Sequence, residues 1–134
     1  MRDEGFGGEM AIRSYKDLVV WRKAMDLARA AYELVARLPS HEQFGLCSQI
    51  RRAAASLPAN IAEGHARDST KEFLHHLSFA RGSLAELETF LTLTVELGYR
   101  NADQIDPLLE RCDEIGRMLR GLQKRLKENS DGKS

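Results

Sequence analysis

Cysteine and proline are scarce in this 134-residue chain, and what is missing excludes several classes of protein. Cys47 and Cys112 stand alone with no C-x-x-C pair, so the disulfide framework that braces small secreted domains is absent. Both are expected as reduced thiols in a core. With only 3 prolines and 10 glycines, the chain has long stretches free of helix breakers. Excess charge of one sign is also missing: 20 basic residues balance 20 acidic ones, so no whole-molecule field draws the protein to nucleic acid or to an anionic membrane. Any such binding must come from local patches. No apolar run approaches the ~20 residues needed to span a bilayer, and the opening Met1-Arg-Asp-Glu-Gly-Phe-Gly-Gly lacks the apolar centre of a signal peptide. A cytoplasmic location without a membrane partner is the expectation.

The constellations that carry enzyme or metal chemistry are missing as well. A helical zinc site needs ligands at i and i+4, and His41, His65, His75 and His76 supply no such pair. Glu72-Phe-Leu-His75 is the only Glu-x-x-His motif, where a di-iron bundle needs two. There is no phosphate-cradling glycine loop, no G-x-S-x-G elbow and no Cys-His nucleophile pair. Ser56 shares a helical face with Asn60 and Glu63 but has no base to activate it. The expectation is a non-enzyme without a cofactor.

What the chain does have is apolar periodicity of the helical kind, with no sustained period-two alternation and hence no strand. Residues 1–13, with Gly5, Phe6, Gly7 and Gly8, read as a disordered leader, and Met10 is an alternative start to Met1. Helix 1 is expected from Ser14 to Leu38, before Pro39. It carries two adjoining apolar stripes, Leu18, Trp21, Met25, Ala28, Tyr32 and Val35 beside Val20, Ala24, Leu27, Ala31, Leu34 and Leu38. Helix 2 is expected from a Ser40–Gln43 capping box to about Gly64, on Cys47, Ile50, Ala54, Leu57 and Ile61, with Pro58 imposing a kink or local break near Ala54–Pro58. Helix 3 follows the Ser69–Glu72 box and runs to Leu97, ended by Gly98; helix 4 spans about Ala102 to Lys127. Residues 129–134 complete the division as a disordered tail to a 14–128 domain. Four helices of this length, each about 37 Å long, joined by short connectors, make an antiparallel up-down-up-down four-helix bundle. Because a lone bundle covers only one broad face of each helix, the doubled stripe of helix 1 predicts self-association.

Two surface features invite a functional reading. Beside the apolar seam of helix 2 runs a stripe of Gln49, Arg52, Ala53, Ser56, Asn60 and Glu63, matched on helix 3 by Gly82, Ser83 and Glu86. It reads either as a satisfied polar seam or solvated face, or as a register-fixing contact between subunits. Helix 4 is acidic early and basic late, ending in Arg117, Arg120, Lys124, Arg125 and Lys127. That order suits the helix dipole. Alternatively, it makes a phosphate-contacting end, joined by Arg51, Arg52 and Arg67 and gathered into one surface by an oligomer.

The stretch Gln49-Ile-Arg-Arg52-Ala-Ala-Ala-Ser56-Leu-Pro58-Ala-Asn60-Ile-Ala-Glu63-Gly64 resembles the signature of the bacterial four-helix-bundle family encoded in intervening sequences of 23S ribosomal RNA genes. Tyr15-x-x-Leu18-x-x-Trp21, Pro39-x-x-Glu42-x-x-Gly45-Leu46, Gly82-Ser83-x-x-Glu86-x-Glu88-Thr89 and Leu97-Gly98-Tyr99 are similar to that family's pattern too, so the likeness covers about residues 14 to 127. The resemblance implies a four-helix bundle, a ring-shaped homopentamer and no established enzymatic activity. The chain is also similar to the accessory proteins of diversity-generating retroelements, whose basic pentamers work with a reverse transcriptase and its RNA. That likeness implies RNA or DNA, and a reverse transcriptase or another protein, as partners. The balanced charge departs from those basic relatives.

Overall fold

The apolar seams read from the sequence fold into four helices in the computed structural model, which describes residues 14–132. These are α1 (Val19–Val35), α2 (Leu46–Ala66), α3 (Thr70–Glu96) and α4 (Ala102–Gly132), and no strand occurs among the described residues. Each helix packs on two neighbours, α1 on α2 and α4, and α3 on α2 and α4, while the diagonal pairs do not meet. With short connectors, that ring of neighbours is an antiparallel up-down-up-down bundle. None of the helices is long and apolar enough to cross a membrane.

The core sits where the seams converge. Leu27, Ile50, Leu57, Ile61, Leu77, Leu87, Leu91, Ile105, Ile115 and Leu119 are fully buried, with alanines 24, 31, 54 and 80 setting close approach between helices. Each large side chain contributes about 1.5–3 kcal/mol by leaving water. Cys47 and Cys112 are free and buried in the same core, and burial pushes the Cys112 thiol up to about 12. Of the two stripes on α1, the one through Leu27 is buried. In the other, Leu18 and Val35 are buried but Met25 and Tyr32 remain exposed at 43% and 47%.

The helix ends differ from the sequence reading in ways local hydrogen bonding explains. Ser14 does cap, accepting from Lys16 N at 2.9 Å while Asp17 accepts from Ser14 N at 3.3 Å, but it starts only a 3-10 turn, Tyr15–Asp17. Extended Leu18 then interrupts the chain, so α1 begins at Val19, and it closes at Val35 rather than Leu38. The Ser40–Gln43 capping box does not form. Ser40 opens a second 3-10 turn, Ser40–Glu42, and Glu42 takes over as the cap, accepting from Leu46 N at 3.0 Å across Gly45. The expected break at Pro58 is absent: α2 continues through it to Ala66, because one missing backbone bond is outweighed by the buried Ala54, Leu57, Pro58 and Ile61. Ser69 Oγ accepts from Glu72 N at 3.0 Å, as the sequence indicates.

Helix α3 ends in a Schellman motif at Gly98, whose φ of 77° suits glycine; Gly98 N donates to Val95 O and Tyr99 N to Thr94 O. Helix α4 opens on a reciprocal box in which Asn101 and Gln104 each accept from the other's backbone N at 3.0 Å. It then runs to Gly132, so residues 129–132, expected as the start of a tail, prolong the helix. The leader assigned to 1–13 lies outside the described residues.

Candidate functional site

The stripe on α2 is an intramolecular seam for most of its length. Ser56 Oγ lies 2.8 Å from Ser83 Oγ, and Asn60 Nδ2 donates to both Ser56 O and Ser56 Oγ at 3.0 Å. Asn60 Oδ1 faces His76 Nδ1 at 3.4 Å. Buried Ala53 and Gly64 lie along the same seam, and a Cβ on Gly64 would come within 2.7 Å of His76 Cβ and 3.0 Å of Phe73 Cδ1, so the helices meet there at a distance only glycine allows. The seam's ends are exposed and locally paired. Arg52 donates to Gln49, and Glu63 pairs with Arg67 at 2.7 Å, whose hydrogen bond holds the Glu63 carboxyl below its usual range. Of the helix 3 residues that matched the stripe, Ser83 is drawn into the seam while Gly82 and Glu86 stay exposed.

The basic residues named from sequence do not form one patch. Arg51 and Arg52 sit on α2, diagonal to α4, and are engaged locally, Arg51 donating to Gln43 O at 3.3 Å. Arg67 lies in the α2–α3 connector, paired with both Glu63 and Glu72. Arg125 borders the α1/α4 groove with Met118 and Leu122. Arg120, Lys124 and Lys127 converge on the α3/α4 groove, and Arg117 lines its upper part. Among the described residues none of these four makes an ion pair, in contrast to the α1/α4 groove, where Lys23 and Glu114 meet at 3.2 Å.

The structure adds Arg81 to this groove, from α3, a residue that periodicity on α4 had no means of finding. Its anchor is Gln123, a buried glutamine on α4. Gln123 Oε1 accepts from Arg81 Nη1 at 3.2 Å, and its Nε2 donates to Ser78 Oγ at 3.1 Å and Leu74 O at 3.5 Å. A polar residue at a core-facing position between Leu119 and Leu126 is the sequence signal that marks this junction. Three depressions run together along the seam, from Glu88 at one end to Lys71 at the other, the middle one sharing Arg81 and Arg120 with the first and Gln123 and Lys127 with the last. At the Glu88 end, burial and then the neighbouring Asp113 carboxylate raise the Glu88 carboxyl above its ordinary value. No group of His, Cys, Asp or Glu suited to a metal ion exists among the described residues. The lining thus mixes Arg81, Arg117, Arg120, Lys124, Lys127 and Lys71 with the carboxylates of Glu72, Glu88, Asp113 and Glu128.

A model of the 23S rRNA-intervening sequence protein family matches residues 16–121. The chain belongs to that family. A similar solved structure is that of a protein of unknown function from the S23 ribosomal protein family of Bacteroides thetaiotaomicron. It is 27% identical, aligns with a TM-score of 0.74, and covers 79% of this chain and 99% of its own. No curated protein matches the sequence. Neither the family nor this neighbour carries an assigned enzymatic activity.

Family-pattern residues outside α2 acquire physical roles in the structure. Glu42, besides capping α2, accepts from Tyr99 Oη at 2.8 Å, and His41 Nε2 lies 3.2 Å from the same hydroxyl. Thus the Pro39–Leu46 and Leu97–Tyr99 motifs are two halves of one junction. The Leu46 backbone N–H and then the Tyr99 hydroxyl hold the Glu42 carboxyl below its ordinary value. At the other end of the bundle, Tyr15 and Trp21 meet edge to face at 5.2 Å, which joins the residues of the Tyr15–Trp21 motif.

Proposed function

We propose that this protein is a non-enzymatic, cytoplasmic, homo-oligomeric bundle that binds RNA or DNA through basic grooves repeated around the assembly. The observation that carries the reading is the α3/α4 groove, where Arg117, Arg120, Lys124 and Lys127, none of them held in an ion pair, gather beside an anchored Arg81 and outnumber the Glu88, Asp113 and Glu128 that share its lining. An excess of cations along a groove suits a phosphate backbone, and a ring of copies multiplies a patch too small to act alone. Self-association is supported by the second apolar stripe of α1, where Met25 and Tyr32 are exposed. The family resemblance favours five subunits, with a reverse transcriptase as a candidate partner.

A salt titration with structured RNA tests the reading. About four phosphate contacts per copy predict that log affinity falls with a slope near −3 against log salt, and Arg120→Glu or Lys124→Glu flattens it. Absence of binding by the assembled protein at low ionic strength refutes nucleic-acid recognition. A light-scattering mass of a single 15.1 kDa chain refutes the oligomer. The exposed stripe of α1 supports one other reading, a protein-interaction scaffold; a co-purifying protein that persists after nuclease treatment, with no affinity for RNA, decides for it.

A further inference from the structure

The basic groove does not end in bare helix surface at the base of α3. His75 lines the same depression as Lys71, Ser78, Gln123 and Lys127, and its ring meets that of Phe79 at a centroid distance of 4.4 Å. Phe79 is 50% exposed, and it also contacts His76, whose ring centroid lies 5.8 Å away. One turn further along α3, Gly82 has nothing within 4 Å of where a Cβ would stand, so the ground next to the aromatic pair is open. Aromatic rings and unpaired cations therefore adjoin on one outer face, with His75 belonging to both.

Resting on the nucleic-acid reading above, we infer that the α3/α4 groove takes single-stranded nucleic acid, with an unpaired base laid against the His75–Phe79 pair and the backbone crossing Lys127, Lys124, Arg120 and Arg81. A π-face accepts any base, so the contact adds affinity without demanding sequence, whereas a duplex keeps its base faces stacked on one another and offers only phosphates. Charge alone favours the duplex, whose charge density is higher. A preference for the single strand is thus a signature that the basic residues cannot produce by themselves.

The experiment is fluorescence anisotropy with a labelled oligouridylate of about 12 nucleotides and a blunt RNA duplex of the same length, at low salt. The wild-type protein binds the single strand more tightly than the duplex. Phe79→Leu weakens the single strand roughly tenfold, leaves the duplex within about twofold, and erases the preference, whereas Phe79→Trp restores it. Melting temperatures of the two variants establish that both fold. A Phe79→Leu protein that keeps full single-strand affinity, while Arg120→Glu loses it, overturns the stacking site and leaves the electrostatic groove standing. Failure of the wild type to bind either RNA overturns the parent reading and the stacking site with it.

Discussion

On its α2 side, helix α3 closes the polar groups it buries; on its α4 side, it leaves the cations along the seam outside any ion pair. The first seam joins Ser56, Ser83, Asn60 and His76 within the chain, at a glycine-permitted approach. The second is joined by Gln123 and then opens outward into Arg117, Arg120, Lys124 and Lys127. Both are polar stripes at helical spacing, yet one joins two helices and the other faces outward. What separates them is whether each polar atom finds its partner within the chain.

The largest expected break in this comparison is Gly64→Val. Its branched side chain has to enter space held by His76 Cβ and the Phe73 ring, and unfolding in urea is expected to show a loss of about 3 kcal/mol. An unchanged midpoint means the close approach is not what holds α2 against α3. Next comes Ser56→Ala, which strands the buried Ser83 hydroxyl and costs about 1.5 kcal/mol; adding Ser83→Ala recovers part of that loss, because two absent partners cost less than one orphan. Strict additivity in the double-mutant cycle removes the coupling. Smallest in stability is Gln123→Leu, about 1 kcal/mol, since Ser78 and Arg81 turn to water. The same variant unmoors Arg81 and is expected to lower the slope of the salt titration, a readout that no α2-side variant shares.

The architecture was legible in the sequence because the seam through Leu27, the Ile50–Leu57–Ile61 run and the Ile105–Leu119 run are each decided by one period, and burial follows period. The start of α2 was not. Ser40 offers a local cap, but Glu42 gains a second partner in Tyr99, distant in sequence and supplied by the fold. Pro58 is the same lesson in reverse, a local breaker overridden by buried neighbours. The candidate site was half legible. A basic run on one helix shows in the sequence, but which cations share a groove depends on which helices are neighbours, and this separates Arg51 and Arg52 from Arg120 and brings in Arg81.

The Glu42 junction also bears on how the chain completes its fold. Its two partners lie 57 residues apart, so the contact closes a loop that contains all of α2 and α3. Loop-closure entropy opposes such a contact until the intervening hairpin has docked, so the contact is expected to form after its helices rather than with them. A Cβ on Gly45 would stand 2.7 Å from the very carboxylate oxygen that caps α2. Finished helices are thus not a finished bundle: the two connectors meet only when both hairpins are in register, and the Tyr99 hydroxyl, one hydrogen bond from Glu42, reports that they have.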